Sequence, residues 1–357
     1  MKLDASLLRY LTHNDIRILT AVEMGMKNHD LVPVELVERI SGLSRGETTL
    51  SLKNVHKNKL VHHEGQPYDG YTLLYSGYDM LALNTLVKRG VISSFGHKFG
   101  VGKEADIYCA ANDEGTEVVV KLHRLGRTSF RAVKNKRDYL QHRRSASWLY
   151  MARLAAHRES SFMNELHSRG FPVPKLLGYN RHVVVMERIH GFPLTSVSNI
   201  NEPPGVEFVF RQIVDNMVAL LHVGLVHGDF NEFNLILNKK GNVTIIDFPQ
   251  MISIDHNDAK SQFERDLECC LNFFQNKFGY APETLPSFDE EKEKVDRDQH
   301  IHVQEEIEIE EDEPVEENAE EPEVTRIPKE DYVRNLLKRQ MGKQRPSAKV
   351  NRNRNKK

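Results

Sequence analysis

The stretch that decides the fold is HGDFNEFN, at residues 227–234, and an acidic motif, IIDF, follows it at residues 245–248. Two short apolar runs lie between them, at residues 235–237 and 243–245, separated by a turn that contains Lys-Gly-Asn. A Gly-Asn turn between two β-prone runs predicts a hairpin. The acidic motif is therefore expected to lie one hairpin away from the HGD loop.

Three polar residues in these motifs have the spacing that phosphoryl transfer requires. In such sites an Asp orients the attacking hydroxyl, while an Asn five residues later and a second Asp hold Mg²⁺. Asp229, Asn234 and Asp247 match that order. An isolated HGD would more simply be a capped turn, but the offset of the Asn and the second Asp together favour nucleotide phosphoryl chemistry.

Composition limits the class of protein. The chain has 357 residues, which allows two domains and a tail. Its three cysteines, of which Cys269 and Cys270 are adjacent, cannot form a disulfide framework, so a reducing compartment is expected. No apolar run approaches the roughly 20 residues of a membrane span, and the first residues lack the apolar core of a signal peptide, so no membrane partner is expected.

The net charge of −2 hides a segregation of charge towards the end of the chain. Twelve of the nineteen residues at 305–323 are acidic, whereas residues 338–357 contain nine Lys or Arg and no acid. The acidic stretch is expected to be disordered. The basic stretch could contact nucleic acid or act as a nuclear signal, and we favour nucleic-acid contact over a merely solubilising tail.

Residues 1–91 predict a winged helix, because helix, helix, basic helix and hairpin follow one another in that order. Asn14 is the expected cap of the first full helix, and Ser44 opens the basic one. The outer face of that helix and the turn after it carry basic side chains: Arg45, Lys53, His56, Lys57 and Lys59. We favour nucleic-acid contact by this face. The alternative is a helical cap packed on the next domain, with solvated lysines.

After the winged helix the pattern changes to strands. A glycine turn formed by Gly100, Val101, Gly102 and Lys103 lies between two of them, and its backbone N–H groups could approach phosphates closely. No Gly-Lys-Ser or Gly-Lys-Thr sequence follows, so the turn is not a Walker loop.

Lys121 ends an apolar strand about 20 residues further on. A lysine just past a buried strand needs a carboxylate or a phosphate to offset its desolvation. Glu159 is the expected carboxylate, because it falls on the apolar stripe of a helix predicted at residues 145–169, and a strand lysine paired with a helix glutamate is typical of kinases. The alternative is a Glu at the edge of the stripe that reaches water.

Residues 183–187 predict a buried strand that leads into a connector between two lobes. If the kinase interpretation holds, Met186 lines the wall of a nucleotide pocket, and backbone groups of Glu187 and Ile189 hydrogen-bond an adenine.

Residues 124–144 are crowded with Arg and Lys and show no apolar period. This composition predicts a mobile basic loop rather than core. Contact with phosphate or RNA and a merely solvated surface explain it equally well.

The glycine turn, Lys121, Glu159, the connector, HGDFNEFN and IDFPQ together resemble the RIO family of atypical protein kinases, over roughly residues 92–285. With a winged helix in front, the resemblance is to the second RIO type. HGDFNEFN followed by IDFPQ is highly specific for the family, whereas the glycine turn is not.

The resemblance implies an α+β, bilobal, protein-kinase-like fold that binds ATP and Mg²⁺. It implies that Asp229 is the catalytic Asp, that Asn234 and Asp247 are metal ligands, and that Lys121 contacts phosphate with Glu159 as its partner. It implies an atypical serine/threonine kinase or an ATPase, because in such proteins Asp247 can itself accept the phosphoryl group.

The resemblance also implies a partner and a place of action. The partner is the pre-40S particle with its rRNA, during late maturation of the small ribosomal subunit. The place is the cytoplasm, with shuttling through the nucleus if the basic tail is a nuclear signal.

The expected domains are a winged helix at residues 1–91, a kinase domain at residues 92–285 whose N-lobe ends at residue 187, and a disordered tail at residues 286–357. The C-lobe is expected to be truncated, because too little chain remains after Asp247 for the helices on which kinases dock peptides. Gly228 replaces the Arg of ordinary kinase loops, and Pro249 replaces the DFG glycine, which stiffens φ and removes an N–H donor.

Two other functions are compatible with parts of the sequence. A small-molecule kinase of the aminoglycoside or choline type also uses HGD with a later Asn and Ile-Asp-Phe, but it needs a larger C-lobe and would leave the winged helix unexplained. A winged-helix nucleic-acid-binding scaffold with an inactive kinase domain would not need an intact set of Lys121, Asp229, Asn234 and Asp247.

Overall fold

The computed structural model describes residues 3–66, 68–102, 104–125, 148–200, 204–295 and 300–301. Among these residues no helix combines the length and the apolar character that crossing a membrane requires. A short 3-10 helix, Ala5–Arg9, precedes the first domain.

The N-terminal domain is the predicted winged helix followed by one further helix. Its helices are α1 (His13–Gly25), α2 (Val34–Ser41), α3 (Arg45–Lys57) and α4 (Tyr75–Lys88). Its strands are β1 (Val32–Pro33), β2 (Val61–Glu64) and β3 (Gly70–Leu73), in the order β1-β3-β2. Helix α4 was not predicted.

Capping boxes begin two of these helices. Ser44 caps α3 as predicted, with Glu47 completing the box. The prediction that Asn14 caps α1 is wrong, because Thr12 holds that position and pairs reciprocally with Asp15. The two candidates are only two residues apart, and the acid three residues after Thr12 decides between them.

The N-lobe is a five-stranded antiparallel sheet with one long helix. Its strands are β4 (Ser94–Val101), β5 (Ala105–Ala111), β6 (Glu117–His123), β7 (Leu176–Asn180) and β8 (Val183–Glu187), and its helix is α5 (Trp148–Ser168). The strand order is β4-β5-β6-β8-β7. Strand β8 covers the residues predicted for it.

Both faces of this sheet are buried, and alternate residues of β6 serve different neighbours. Val118, Val120 and Leu122 belong to the same hydrophobic core as the winged helix. Lys121 and His123 point to the opposite face, where both contact α5. The winged helix and the N-lobe therefore share one core, while α3 keeps its basic face exposed.

Arg124 corrects the prediction of a basic loop that begins at residue 124. Its side chain is 4% exposed, and its guanidinium bonds to Asp79 of α4 and to Asp106 of β5. His182 also contacts Asp79, at 2.8 Å. Residues 126–147, which include the rest of the predicted loop, lie outside the described residues.

The C-lobe is built from helices with short β-ribbons between them. Its helices are α6 (Val206–His222), α7 (Ala259–Phe278) and α8 (Phe288–Glu293), and a 3-10 turn spans Leu194–Ser196. Its strands are β9 (Phe192–Pro193), β10 (Leu225–Val226), β11 (Leu235–Leu237), β12 (Val243–Ile245) and β13 (Ile252–Ser253). Strands β11 and β12 form the predicted hairpin.

Two predictions about the C-lobe are wrong. The apolar spacing of Phe208, Ile213 and Met217 predicts a long amphipathic helix with Phe208 in the core, but Phe208 is 48% exposed on α6. The tail was expected to be disordered from residue 286, yet α8 follows, and its Phe288 is only 5% exposed within the C-lobe core. Burial of the Phe288 ring, the contact of His222 with Glu291 and the hydrogen bond from Lys292 to the Ile254 carbonyl hold this otherwise acidic segment on the lobe.

Candidate active site

The HGD loop is anchored to helix α7. The Gly228 backbone N–H donates to the Asp266 carboxylate at 2.9 Å, and the Arg265 guanidinium donates to the Gly228 carbonyl. Burial raises the pKa of Asp266 to about 6 and lowers the pKa of the neighbouring His227 to about 4, so the His227 ring is neutral at pH 7. The loop is thus held on α7 by hydrogen bonds to Asp266 and Arg265.

Three side-chain amides surround the carboxylate of Asp229. Asn231 donates to Oδ1 at 2.9 Å, whereas Asn234 and Gln250 donate to Oδ2 at 3.2 and 3.0 Å. The Asn234 amide also donates to the Asp229 carbonyl at 2.9 Å. Hydrogen bonds of this kind favour the ionised carboxylate and fix its orientation. Asn231 and Gln250 were not predicted as site residues.

Lys121 joins the two other predicted acids. Its ammonium lies 2.6 Å from Oε1 of Glu159 and 2.8 Å from Oδ1 of Asp247. The predicted Lys121–Glu159 pair is therefore present, and Glu159 is buried with a 1% exposed side chain. The alternative of a Glu159 that reaches water is wrong. His123 adds a contact that was not predicted, with its Nε2 2.6 Å from the other oxygen of Glu159.

Mutual attraction keeps Asp247 and Lys121 in their charged forms. Burial disfavours the charged form of Asp247, but the adjacent Lys121 ammonium outweighs it and lowers the pKa of Asp247. Burial likewise opposes the charge on Lys121, but Asp247 and Glu159 outweigh it and raise the pKa of Lys121. Asp247 is ionised at neutral pH, and its side chain remains 40% exposed.

The backbone brings Asp247 and Asn234 together. The Ile246 backbone N–H donates to the Asn234 carbonyl at 3.0 Å, and Leu235 pairs with Ile245 on the hairpin. Asp247 has φ of +72°, which is uncommon for a residue with a side chain and is typical of functional sites.

The donor set fits a magnesium ion that phosphate oxygens and water complete. The Asn234 amide nitrogen faces Asp229, so its oxygen points away from that carboxylate. Within the described ranges no group of three or more His, Cys, Asp and Glu side chains could hold a metal ion. One carboxylate and one amide oxygen are the kind of sparse protein contribution with which Mg²⁺ is normally held beside phosphates.

The predicted nucleotide contacts flank this cluster. Gly100, Ile107 and Lys121 lie abreast on three neighbouring strands, which puts Gly100 about 10 Å from Lys121. The prediction of a turn that begins at Gly100 is wrong, because Gly100 and Val101 both pair with β5 as the last residues of β4. Lys103 and the side chain of Val101 lie outside the described residues, and Gly102 donates its N–H to the Ala105 carbonyl at 2.8 Å.

The connector between the lobes leaves a restricted set of backbone groups for an adenine. Met186 is 7% exposed on the core side of β8. The Glu187 N–H already donates to the Lys175 carbonyl at 2.9 Å. The Glu187 carbonyl and the Ile189 N–H are therefore the groups that an adenine edge could use.

Comparison with known proteins identifies the family. The sequence pattern of the RIO domain matches residues 106–288, and that of the Rio2 N-terminal domain matches residues 8–89. The chain is 52% identical over 288 residues to the serine/threonine-protein kinase rio2 of Dictyostelium discoideum, covering 81% of this chain and 55% of that protein. It is 42% identical over 304 residues to the serine/threonine-protein kinase rio2 of Schizosaccharomyces pombe, covering 85% and 87%.

A solved structure agrees with these matches. The crystal structure of the Rio2 kinase ADP/Mg²⁺-phosphoaspartate complex from Chaetomium thermophilum superposes with a TM-score of 0.73 at 41% identity, covering 82% of this chain and 89% of that one. The matched region spans little more than half the length of the Dictyostelium relative. The expected α+β, bilobal, kinase-like fold with an N-terminal winged helix is confirmed, and the chain belongs to the RIO family of serine/threonine-protein kinases, within its Rio2 group.

Proposed function

We propose that the chain binds ATP with Mg²⁺ between its lobes and transfers the γ-phosphoryl group to its own Asp247, from which water then removes it. The observation that carries this proposal is the position of Lys121, which contacts both Glu159 and Asp247 at 2.8 Å or less. A lysine held in this way can neutralise charge on a triphosphate beside an exposed carboxylate. The phosphoaspartate in the name of the Chaetomium structure supports the same chemistry.

The proposed cycle has two displacements. In the first, a carboxylate oxygen of Asp247 bonds to the γ-phosphorus while the bond from that phosphorus to the bridging oxygen of ADP breaks. In the second, a water oxygen bonds to the phosphorus, the bond to Asp247 breaks, and the water proton passes to a base. We assign that base, or the group that orients the water, to Asp229. Asn234 and Asp247 would hold the Mg²⁺, which supplies charge neutralisation.

Labelling with γ-labelled ATP and Mg²⁺ tests the cycle. We expect a label on the protein that hydroxylamine removes, as expected for an acyl phosphate, and that is absent from Asp247→Ala. Asp229→Ala should retain ATP binding and lose turnover. Asp113→Ala, an exposed acid in the β5–β6 turn, is the matched control and should behave as wild type. Hydroxylamine-stable label on Ser, or full turnover by Asp229→Ala, would contradict the assignment.

We further propose that this ATPase acts as a switch on the pre-40S particle during late cytoplasmic maturation of the small ribosomal subunit. Membership of the Rio2 group supports this role. The nucleotide state would tune affinity for the particle, with phosphorylated Asp247 as the signal for release. Asp247→Ala, which cannot form this signal, should then remain with pre-40S particles in sucrose gradients after ATP addition, whereas wild type leaves them. Equal release of both proteins would count against the switch.

The surface proposed to contact rRNA is the exposed face of α3. Arg45, Lys53 and Lys57 are exposed there, and Leu50 between them is 71% exposed. The exposure of Leu50 leaves an apolar contact on this basic face. Phosphate contacts by Lys and Arg would make binding salt-dependent.

A charge-reversal pair tests this surface. Lys53→Glu with Lys57→Glu should weaken binding to an rRNA fragment and reduce the slope of log affinity against log salt by about 2, one for each lost phosphate contact. Lys88→Glu with Arg89→Glu makes the same change of charge at the exposed end of α4 and is the control. Equal effects of the two pairs would show a nonspecific response to net charge.

The alternative functions are less well supported. In the described C-lobe only α7 and α8 follow β13, which leaves no helical subdomain for an amino-alcohol acceptor. An inactive scaffold would not need the Lys121–Glu159–Asp247 cluster or the amides around Asp229.

A further inference from the structure

The backbone of Gly228, which replaces the Arg of ordinary kinase loops, lies against the backbone of Gln250, which follows Pro249. Gly228 has φ of +76°, and a Cβ on it would lie 2.7 Å from the Gln250 carbonyl oxygen. An L side chain at residue 228 is therefore excluded by backbone conformation and by space. The glycine lets the segment after Asp247 approach the HGD loop, backbone against backbone.

Gln250 uses this close approach to reach the catalytic loop. Its side-chain amide donates to Oδ2 of Asp229 at 3.0 Å, across 21 residues of sequence. The other two amides on that carboxylate, from Asn231 and Asn234, come from the loop itself. Gln250 is thus the amide that ties Asp229 to the segment carrying Asp247.

The segment that presents Gln250 is held on both sides. The Met251 N–H donates to the Phe248 carbonyl at 3.1 Å, and both side chains are fully buried at 0% exposure. The Met251 carbonyl accepts from the Arg158 guanidinium of α5 at 2.7 Å. Pro249 restricts φ between these anchors. These contacts fix the backbone of Gln250, and its side-chain amide is directed at Asp229.

We propose that Gln250 is a positioning residue that orients Asp229 for the hydrolysis of phosphorylated Asp247. This inference rests on the proposed two-step cycle. In the first step the nucleophile is the Asp247 carboxylate, whose Oδ1 lies 2.8 Å from the Lys121 ammonium, and a carboxylate oxygen attacks without losing a proton. In the second step the nucleophile is water, which must be oriented and must lose a proton, so only this step depends on the orientation of Asp229.

Loss of the Gln250 amide should consequently slow the second step more than the first. Gln250→Met keeps the length of the side chain and removes the donor. We expect kcat for phosphate release to fall about tenfold, as for a modest misplacement of a catalytic group, with KM for ATP within twofold of wild type. The fraction of hydroxylamine-labile phosphoenzyme at steady state should rise.

A double-mutant comparison separates positioning from structural damage. If Gln250 acts through Asp229, then Gln250→Met should have no further effect on kcat in the Asp229→Asn background. Gln212→Met is the matched control: Gln212 donates to the Gly241 carbonyl at 2.8 Å elsewhere in the C-lobe. It should leave kcat and the phosphoenzyme level unchanged. If Gln250→Met does not fold, Gln250→Glu is the second variant. It keeps the shape of the side chain but places a negative charge against Asp229, and it should lower kcat below that of wild type.

The outcomes are distinguishable. Unchanged kcat, a raised KM with unchanged kcat, a lower phosphoenzyme level, or additive losses with Asp229→Asn would each overturn the role of Gln250. Full turnover by Asp229→Asn, or no labile phosphoenzyme in wild type, would instead overturn the proposed function itself.

Discussion

Replacing Arg124 by Met tests whether this residue is a buried junction between two domains or a solvated charge. Its Nη1 and Nη2 atoms lie 2.5 and 2.8 Å from the two oxygens of Asp79, and its Nε lies 3.1 Å from Asp106. The two carboxylates are 2% and 0% exposed. Met would fill much of the same volume but leave Asp79 without its guanidinium partner and Asp106 with one cation fewer.

The expected cost follows from burial. Removing one partner of a buried ion pair costs about 3–5 kcal/mol, because the remaining charge is left in a dry environment. Lys98 still contacts Asp106 at 2.7 Å, and His182 still contacts Asp79 at 2.8 Å, which places the loss near the lower end, at about 3 kcal/mol. A solvated Arg would change the free energy of unfolding by no more than about 0.5 kcal/mol.

Urea unfolding followed by tryptophan fluorescence measures this loss at the right place. Trp148 is the only tryptophan of the chain, and its ring lies 3.8 Å from that of Tyr75 on α4. The midpoint should fall at constant m-value, which indicates a change of stability alone. Arg89→Met, at an exposed position after α4, is the matched control.

A second substitution checks the mechanism. Asp79→Asn removes one of the stranded charges, so the double variant with Arg124→Met should lose less than the sum of the single losses. Additive losses, or a loss below about 0.5 kcal/mol for Arg124→Met alone, would refute the buried-junction interpretation.

Three further outcomes are expected. Acidification from pH 6.5 to about 4 should destabilise the protein, because the native state lowers the pKa of His182 and of His227 to about 4 and so resists protons that the unfolded chain binds. Each ring contributes a loss of up to about 3 kcal/mol in the free energy of unfolding. Asp266, whose pKa is raised to about 6, binds its proton more readily in the native state and so offsets the loss from about one ring. Urea midpoints at the two pH values measure the net loss, and His182→Gln should reduce it. Gly228→Ala should lower ATP turnover by at least about tenfold, measured by phosphate release, since the new Cβ pushes the loop from its position. Phe288→Ala should cost about 3 kcal/mol in urea unfolding, and no change would mean that α8 does not pack on the C-lobe.

Sequence alone located the parts of the site that depend on local spacing. Asp229 and Asn234 share one loop, and the hairpin that leads to Asp247 has its own turn signal. The Lys121–Glu159 pair was also predictable, because a helical stripe places Glu159 towards the sheet.

Other contacts between distant segments, which have no local pattern, could not be predicted in this way. Arg124 looks like the first member of a basic run, and only the fold brings Asp79 of α4 against it. Gln250 carries no charge or periodicity that would single it out, although it lies three residues after Asp247. Phe288 is a single aromatic residue beside acidic ones, so the composition of the segment predicted disorder where Phe288 packs on the C-lobe.

The common core of the winged helix and the N-lobe limits how the chain can be divided. A fragment that begins at residue 92 would uncover Val118, Val120 and Leu122, together with Val183 and Val185 on the neighbouring strand. That stripe crosses two adjacent central strands and would drive the fragment to aggregate. Work on the catalytic half therefore needs the first ninety residues as its scaffold, whether or not any nucleic acid is present.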